Sequence, residues 1–281
     1  MRTNPELNVL WLCELAQMSA QNYYARRSVR SRQEVDVGLV LALVQAEREQ
    51  QPRLGVRKLY HLIAPELKAA SVKMGRDQLF VELGKAGLLV ARKPSEWPKT
   101  THLDPNLPVF KNLIKRWSTT GPNQVWVADI TYIRTREGFM YLALITDRWS
   151  RKIVGYHLGD SLETKQVLKA LAMALKGLKG TARPIHHSDR GCQYASHAYV
   201  QATQKAGLAM SMTETNHSAE NAVAERVNGI LKQEYWLDAN FEHRPQARQA
   251  TTHGICMYNT RRPHTALKFA TPEQAHHAGQ V

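Results

Sequence analysis

Asp189 and Glu225 are separated by 35 residues, and each stands where a carboxylate calls for a reason. Asp189 closes the run Pro184-Ile185-His186-His187-Ser188, which reads as a short strand, while Glu225 lies inside a strongly helical segment. A third acid, Asp129, interrupts the apolar stretch Val125-Trp126-Val127-Ala128-Asp129-Ile130. A carboxylate in a buried strand is costly unless it is paired or bound to metal, and this strand supplies no adjacent Lys or Arg. Converging acids repel one another and hold protons near neutral pH, a preference that a divalent cation reverses. All-oxygen ligation with positions open to water and phosphate favours Mg²⁺ or Mn²⁺ over zinc.

On the segment from Asn221 to Tyr235, Glu225 and Lys232 stand about two helical turns apart and share a face with Asn221 and Gly229. Val223, Val227 and Ile230 form the opposing stripe. This face is either a carboxylate for metal with an ammonium for phosphate, or an exposed ionic surface. His186, His187 and His264 invite a general-base reading. Cys13, Cys192 and Cys256 have no metal-ligand spacing and read as reduced, small apolar residues.

The elements that would position these groups follow from the pattern. The runs 125–133, 139–146 and 153–158 have short joints and predict an antiparallel meander. A helix over 167–175, a strand at 184–189, a helix over 199–206, a strand at 208–212 and a helix over 221–235 complete a βββαβαβα order. That order implies a mixed five-stranded sheet with flanking helices, an α/β fold, in which the first and fourth strands are neighbours.

Upstream, residues 1–50 are expected to be a helical region. It holds two short helices over 7–27, separated at Met18-Ser19, and a further helix from Val35 that stops before Pro52. The basic run Arg26 to Arg32 reads equally as a linker or as a phosphate contact. Residues 51–93 have the helix, short connection and second helix of a helix-turn-helix, with Arg57, Lys58 and Arg76 at the leading ends. The same pattern also suits a small helical bundle. Five prolines between 94 and 123 mark an interdomain linker with one short helix near 109–117. Residues 124–240 form the core, and 241–281 a helical tail.

The formal charge of +14 is spread along the 281 residues and makes nucleic acid the default partner. No run approaches a membrane span and the start lacks a signal-peptide pattern, which predicts a soluble intracellular protein.

Four blocks then converge on one family. Trp126-x-Ala128-Asp129-Ile130-Thr131, His187-Ser188-Asp189-Arg190-Gly191, Asn221-x-x-x-Glu225-Arg226 with Lys232, and Tyr258-Asn259-x-x-Arg262-Pro263-His264 closely resemble transposases of the insertion sequence 3 family. More broadly they resemble the retroviral integrase superfamily. The resemblance covers residues 120–275, and more weakly 53–93. It implies an RNase H-like core whose Asp129, Asp189 and Glu225 bind two Mg²⁺ or Mn²⁺ ions to cut element ends and transfer strands.

It further implies that Lys232 contacts terminal DNA bases and that double-stranded DNA, both element ends and target, is the partner. Asn221, Arg226, Arg190, Arg261, Arg262 and His264 are further DNA-contact candidates. A homo-oligomer on DNA, an upstream-frame fusion product as partner, and a bacterial cytoplasmic, nucleoid-associated location are also implied. Glu220 departs from relatives that carry Asp there. A DNA-binding regulator with an inert core, and a nuclease that only hydrolyses, are the rival readings.

Overall fold

A computed structural model describes residues 10, 13, 17–91, 107–214 and 218–279. Helix α1 (Ala20–Gln50) opens at Ser19, whose side chain accepts from the Asn22 amide. It is followed by α2 (Val56–Ala69) and α3 (Arg76–Lys85). Val40 and Val44 of α1 pack against Leu59, Ile63 and Leu67 of α2 and Leu79 and Leu83 of α3, giving these helices their own core.

The basic run from Arg26 to Arg32 is neither a linker nor a break: it lies within the continuous 31-residue α1. Arginine is a good helix former, and no proline intervenes before Pro52, so nothing stops propagation from the Ser19 cap. The preceding helix expected over 7–18 falls mostly outside the described residues.

The core begins with β1 (Val125–Thr135), β2 (Gly138–Asp147) and β3 (Ile153–Gly159), which pair antiparallel as the short joints predicted. Then come α4 (Thr164–Gly177), β4 (Ile185–Ser188), α5 (Cys192–Ala195), α6 (His197–Lys205), β5 (Ala209–Met212) and α7 (Ala222–Glu234). A two-residue β6 (Asn240–Phe241), α8 (Arg244–Thr260) and α9 (Pro272–Ala278) finish the chain. The sheet order is β3-β2-β1-β4-β5, with β4 parallel to both neighbours and β6 added to the far end of β1.

Strand alternation divides the packing. Trp126, Ala128, Ala143 and Ile145 face α4 to α6, whereas Ile133, Met140, Leu142 and Leu144 face α7 and α8. Asp129 has the parity of the second set and so faces α7.

The short helix expected over 109–117 does not form. That segment is irregular: the Leu113 amide donates to Ser211 Oγ of β5 at 2.9 Å and the Ile114 amide to Asn112 Oδ1 at 3.0 Å. Buried Ile114 packs with Val125, Val127 and Ala224, so contacts to the core replace helical hydrogen bonds. Residues 92–106 of the expected linker lie outside the described residues.

Two glycines make opposite predictions. A Cβ on Gly155 of β3 would meet the Ala170 carbonyl at 2.3 Å and Ala174 Cβ at 2.8 Å, both on α4. Gly155→Ala is therefore expected to destabilise by about 1–3 kcal/mol or more. Gly229, inside α7, has open space around its missing Cβ, and Gly229→Ala is expected to stabilise by up to about 1 kcal/mol through helix propensity. Urea unfolding of the two variants checks both signs; equal destabilisation would contradict the packing of β3 on α4.

Candidate active site

β1 and β4 pair in a constant register, Val125 with Ile185, Trp126 with His186 and Val127 with His187. Extended by two residues, that register sets Asp129 opposite Asp189, just where β4 ends. The pairing stops there, so the two acids flank the point at which the strands part. Ligand sites of open α/β sheets lie at such carboxyl ends of parallel strands.

Asp129 is half-buried. Its Oδ1 accepts from the Ile130 amide at 2.9 Å, and its Oδ2 accepts from Asn228 Nδ2 at 2.7 Å. Burial first, then the charge of Asp189, push its carboxyl up to about 7; the Ile130 and Asn228 bonds oppose the rise, and Glu225 adds to it. Asp189 Oδ1 accepts from the Gly191 amide at 3.0 Å, which fixes the turn after β4.

Helix α7 supplies the third acid. Asn221, at its N-terminal end, donates Nδ2 to the Ala128 carbonyl of β1 at 3.0 Å, tying the helix start to the acid-bearing strand. Val227, Ile230 and Leu231 anchor the helix in the core, and Glu225 is exposed. Among the described residues, no three His, Cys, Asp or Glu side chains are already gathered closely enough to hold a metal ion. The acids influence one another electrostatically without converging. The donor set itself is all oxygen, and mutual repulsion at Asp129 is the condition that a dication relieves.

Lys232 is buried, with 6% exposure. Burial pulls its ammonium down to about 8; the charges of Asp129 and Asp238 oppose that fall and the charge of Arg134 adds to it. Asn228 was not foreseen. It lies three residues after Glu225 and four before Lys232, and that helical spacing is the signal that marks it for the acid-facing side.

The histidines of β4 are structural. His186 meets the Tyr199 hydroxyl at 2.8 Å and His187 meets Ser211 Oγ at 2.9 Å. Burial pushes both down to about 4, so they are neutral and turned into the sheet. Glu220, the departure from the family pattern, accepts from Asn112 at 3.2 Å and from the Glu214 amide at 2.5 Å, closing the loop ahead of α7.

Comparison with known proteins shows the family. Two family models, both described as integrase core domain, match residues 119–218 and 206–272. The IS600 uncharacterized 31 kDa protein of Shigella sonnei is 34% identical over 265 residues, covering 93% of this chain and 96% of that protein. The transposase for insertion sequence element IS629, also from Shigella sonnei, is 34% identical over 225 residues, covering 80% of this chain and 74% of that protein. Transposase InsF for insertion sequence IS3A of Escherichia coli K12 is 29% identical over 275 residues, covering 96% and 94%.

The chain belongs to the insertion sequence 3 family of transposases. The simian T-cell lymphotropic virus intasome, solved in complex with PP2A regulatory subunit B56 gamma, has the same fold. Its likeness has a TM-score of 0.50 at 18% identity, covering 79% of this chain and 74% of that chain. The sheet and its flanking helices are RNase H-like. No helix among the described residues is long and apolar enough to cross a membrane.

The structure distributes the basic residues named from the sequence into distinct settings. Arg190 donates Nε to the Thr213 carbonyl at 2.7 Å and Nη2 to the Glu214 carbonyl, holding the turn after Asp189 against the loop that precedes α7. Arg57 and Arg76 line one groove with Arg48 in the helical unit. Arg261 grips Glu47 of α1 with bonds of 2.9 and 2.6 Å. Arg262, 2% exposed, grips Glu234 with bonds of 2.7 and 2.8 Å, and Lys58 of α2 reaches the same carboxylate at 2.8 Å. With Tyr235 Oη donating to Gln51 at 2.9 Å, these pairs dock the helical unit on the core.

Burial alone would raise the Glu234 carboxyl, but the bonds and charges of Arg262 and Lys58 more than reverse it, leaving it below 4.5. A carboxyl depressed by folding stabilises fully above its unfolded value, and that contribution is lost as pH falls through the folded one. Glu234→Gln is expected to cost about 3–5 kcal/mol at pH 7, because it leaves Arg262 buried without its counter-charge. The gap between wild type and variant should shrink as chemical denaturation is repeated below pH 4.5. A constant gap would contradict the ion pair.

Proposed function

We propose that this chain nicks DNA at the ends of a mobile element and joins the freed 3′-hydroxyl to another phosphodiester. Asp129, Asp189 and Glu225 would hold two Mg²⁺ or Mn²⁺ ions. When bound, such ions activate the attacking oxygen and stabilise the leaving one in an in-line displacement. The observation that carries the reading is the register of β1 and β4. Extended by two residues it brings Asp129 level with Asp189 at the open end of the sheet, and the charges of Asp189 and Glu225 both act on Asp129, which supports a shared ligand set.

The chain's own residues have separable tasks in this reading. Asn228 holds the Asp129 carboxylate in one orientation, and Asn221 holds the start of α7 against β1. Glu225 is exposed on that helix and free of the sheet, so DNA entering the cleft meets it before the two strand acids. Lys232, next to Asp129, balances negative charge as phosphate approaches and contacts the DNA end. No side chain forms a covalent bond to the substrate. The helices of residues 51–93 would carry the duplex through Arg57 and Arg76, the core over 124–240 would perform the chemistry, and the helices of 241–281 would brace it. Two element ends call for at least two protomers.

Glu225→Gln preserves size and should abolish nicking and joining of labelled element-end DNA in Mn²⁺ while duplex binding remains. Joining at the wild-type rate would overturn the three-acid assignment, and cleavage without joining by wild type would favour a nuclease. Asn228→Ala should lower the joining rate about 10–100-fold, as outer-shell partners of metal-binding carboxylates do. Increasing Mn²⁺ should recover part of that loss. An unchanged rate would show that the Asn228 to Asp129 bond has no part in the chemistry.

A further inference from the structure

Behind α7, on the side away from Asp129, lies a cavity of about 300 Å³ formed by α2, α7, the β2–β3 turn and the segment after α8. Lys58, Arg151, Arg226, Arg262 and His264 line it, and among the described residues no carboxylate does. Glu234 pairs with Lys58 and Arg262. Neither Arg151 nor Arg226 forms a salt bridge among the described residues, so the cavity holds more positive charge than its own counter-charge balances.

His264 gives an independent indication. It is 8% exposed, and its Nε2 is buried without a hydrogen-bond partner. A buried polar atom left unpaired costs about 1–3 kcal/mol, and this one lines a cavity of clustered cations. The remaining wall is apolar, with Ala222, Val223, Val227 and Ile230 of α7. An apolar wall beside a cationic end suits a sugar joined to a phosphate. The volume is several times the roughly 30 Å³ that one water occupies in the liquid, which is more room than a single small ion needs.

We propose that this cavity is a second DNA-backbone site, in which one phosphodiester is held by Arg226, Arg151 and His264 Nε2. Glu234 keeps Lys58 and Arg262 in place as the fixed side of the cradle. Arg226 is exposed at the rim and directly follows Glu225 in sequence, so α7 carries an active-site acid and the cavity's gate on adjacent positions. Because α2 supplies Lys58, a strand seated there would bridge the helical unit and the core at the docking surface. The proposal rests on DNA being the partner of this chain.

The test measures duplex DNA binding by full-length protein across a series of NaCl concentrations. Each phosphate contact contributes about 0.9 to the slope of log Kd against log salt. Arg226→Gln and Arg151→Gln should each flatten that slope by about one, with melting temperatures confirming that both variants fold. Lys176→Gln removes an exposed cation from α4, on the opposite face of the sheet, and should leave the slope unchanged.

Wild-type slopes in both cavity variants would overturn the site while leaving DNA binding itself intact. Absence of duplex binding by wild type would instead overturn the function on which the proposal rests. A third arm adds inorganic phosphate at constant ionic strength. If it raises the melting temperature of wild type but not of Arg226→Gln, and the DNA slope is unaffected, the cavity takes a free anion and the DNA assignment fails.

Discussion

Asp129 of β1 and Asp189, one residue past the end of β4, fall at the same level when the register of the two parallel strands is extended, and the burial of Asp129 beside a second carboxylate is the constraint on which the site depends. β1 needs β4 beside it to bury its apolar residues, and the register that achieves this puts the two carboxylates within electrostatic reach of each other. The strands part at that level, so the acids face an opening and not a sealed interior. Asn221 and Asn228 then fasten α7 across the opening, one through the Ala128 carbonyl and one through Asp129 itself. The resulting site has its electrostatic strain in place, an acid pushed up to about 7 by burial and a like charge.

Helix α7 is the element on which the two halves of the molecule meet. Its acid-facing side holds Glu225, Asn228 and Lys232, while its end holds Glu234, the carboxylate shared by Lys58 of α2 and Arg262. Any shift of the helical unit relative to the core must loosen bonds to this helix or to Glu47. Docking of α1 to α3 and placement of Glu225 are thus coupled through one helix. The price of that coupling is a set of buried charges that hold only while every partner is present.

Much of the core was legible because its signals are local. Alternating apolar runs with short joints specify the meander, and an acid inside such a run is visible as an anomaly at Asp129. The family blocks identified Asp189 and Glu225, which spacing alone left as a strand acid and a helix acid. Asn228 was missed because a polar residue on an amphipathic helix looks like solvent-facing surface, and only the fold turns it toward Asp129. The ion pairs of Lys58, Arg261 and Arg262 were not legible, because a cation's sequence context does not show its counter-ion; here Glu234 and Glu47 lie 28 to 214 residues away in the chain. The unbroken α1 and the irregular 109–117 segment failed in opposite directions, one from underrating arginine as a helix former, the other from ignoring what the core offers a buried isoleucine.

In the proposed mechanism Asp129, Asp189 and Glu225, apart in the free protein, would bind divalent metal once DNA is seated. Calorimetric titration of Mn²⁺ into the wild-type complex with duplex DNA, repeated with Asp129→Asn, tests it most directly. Wild type is expected to take up about two ions per active site on DNA and far less without it, and Asp129→Asn to lose the DNA-dependent uptake. Equal Mn²⁺ binding by wild type and Asp129→Asn on DNA would contradict it.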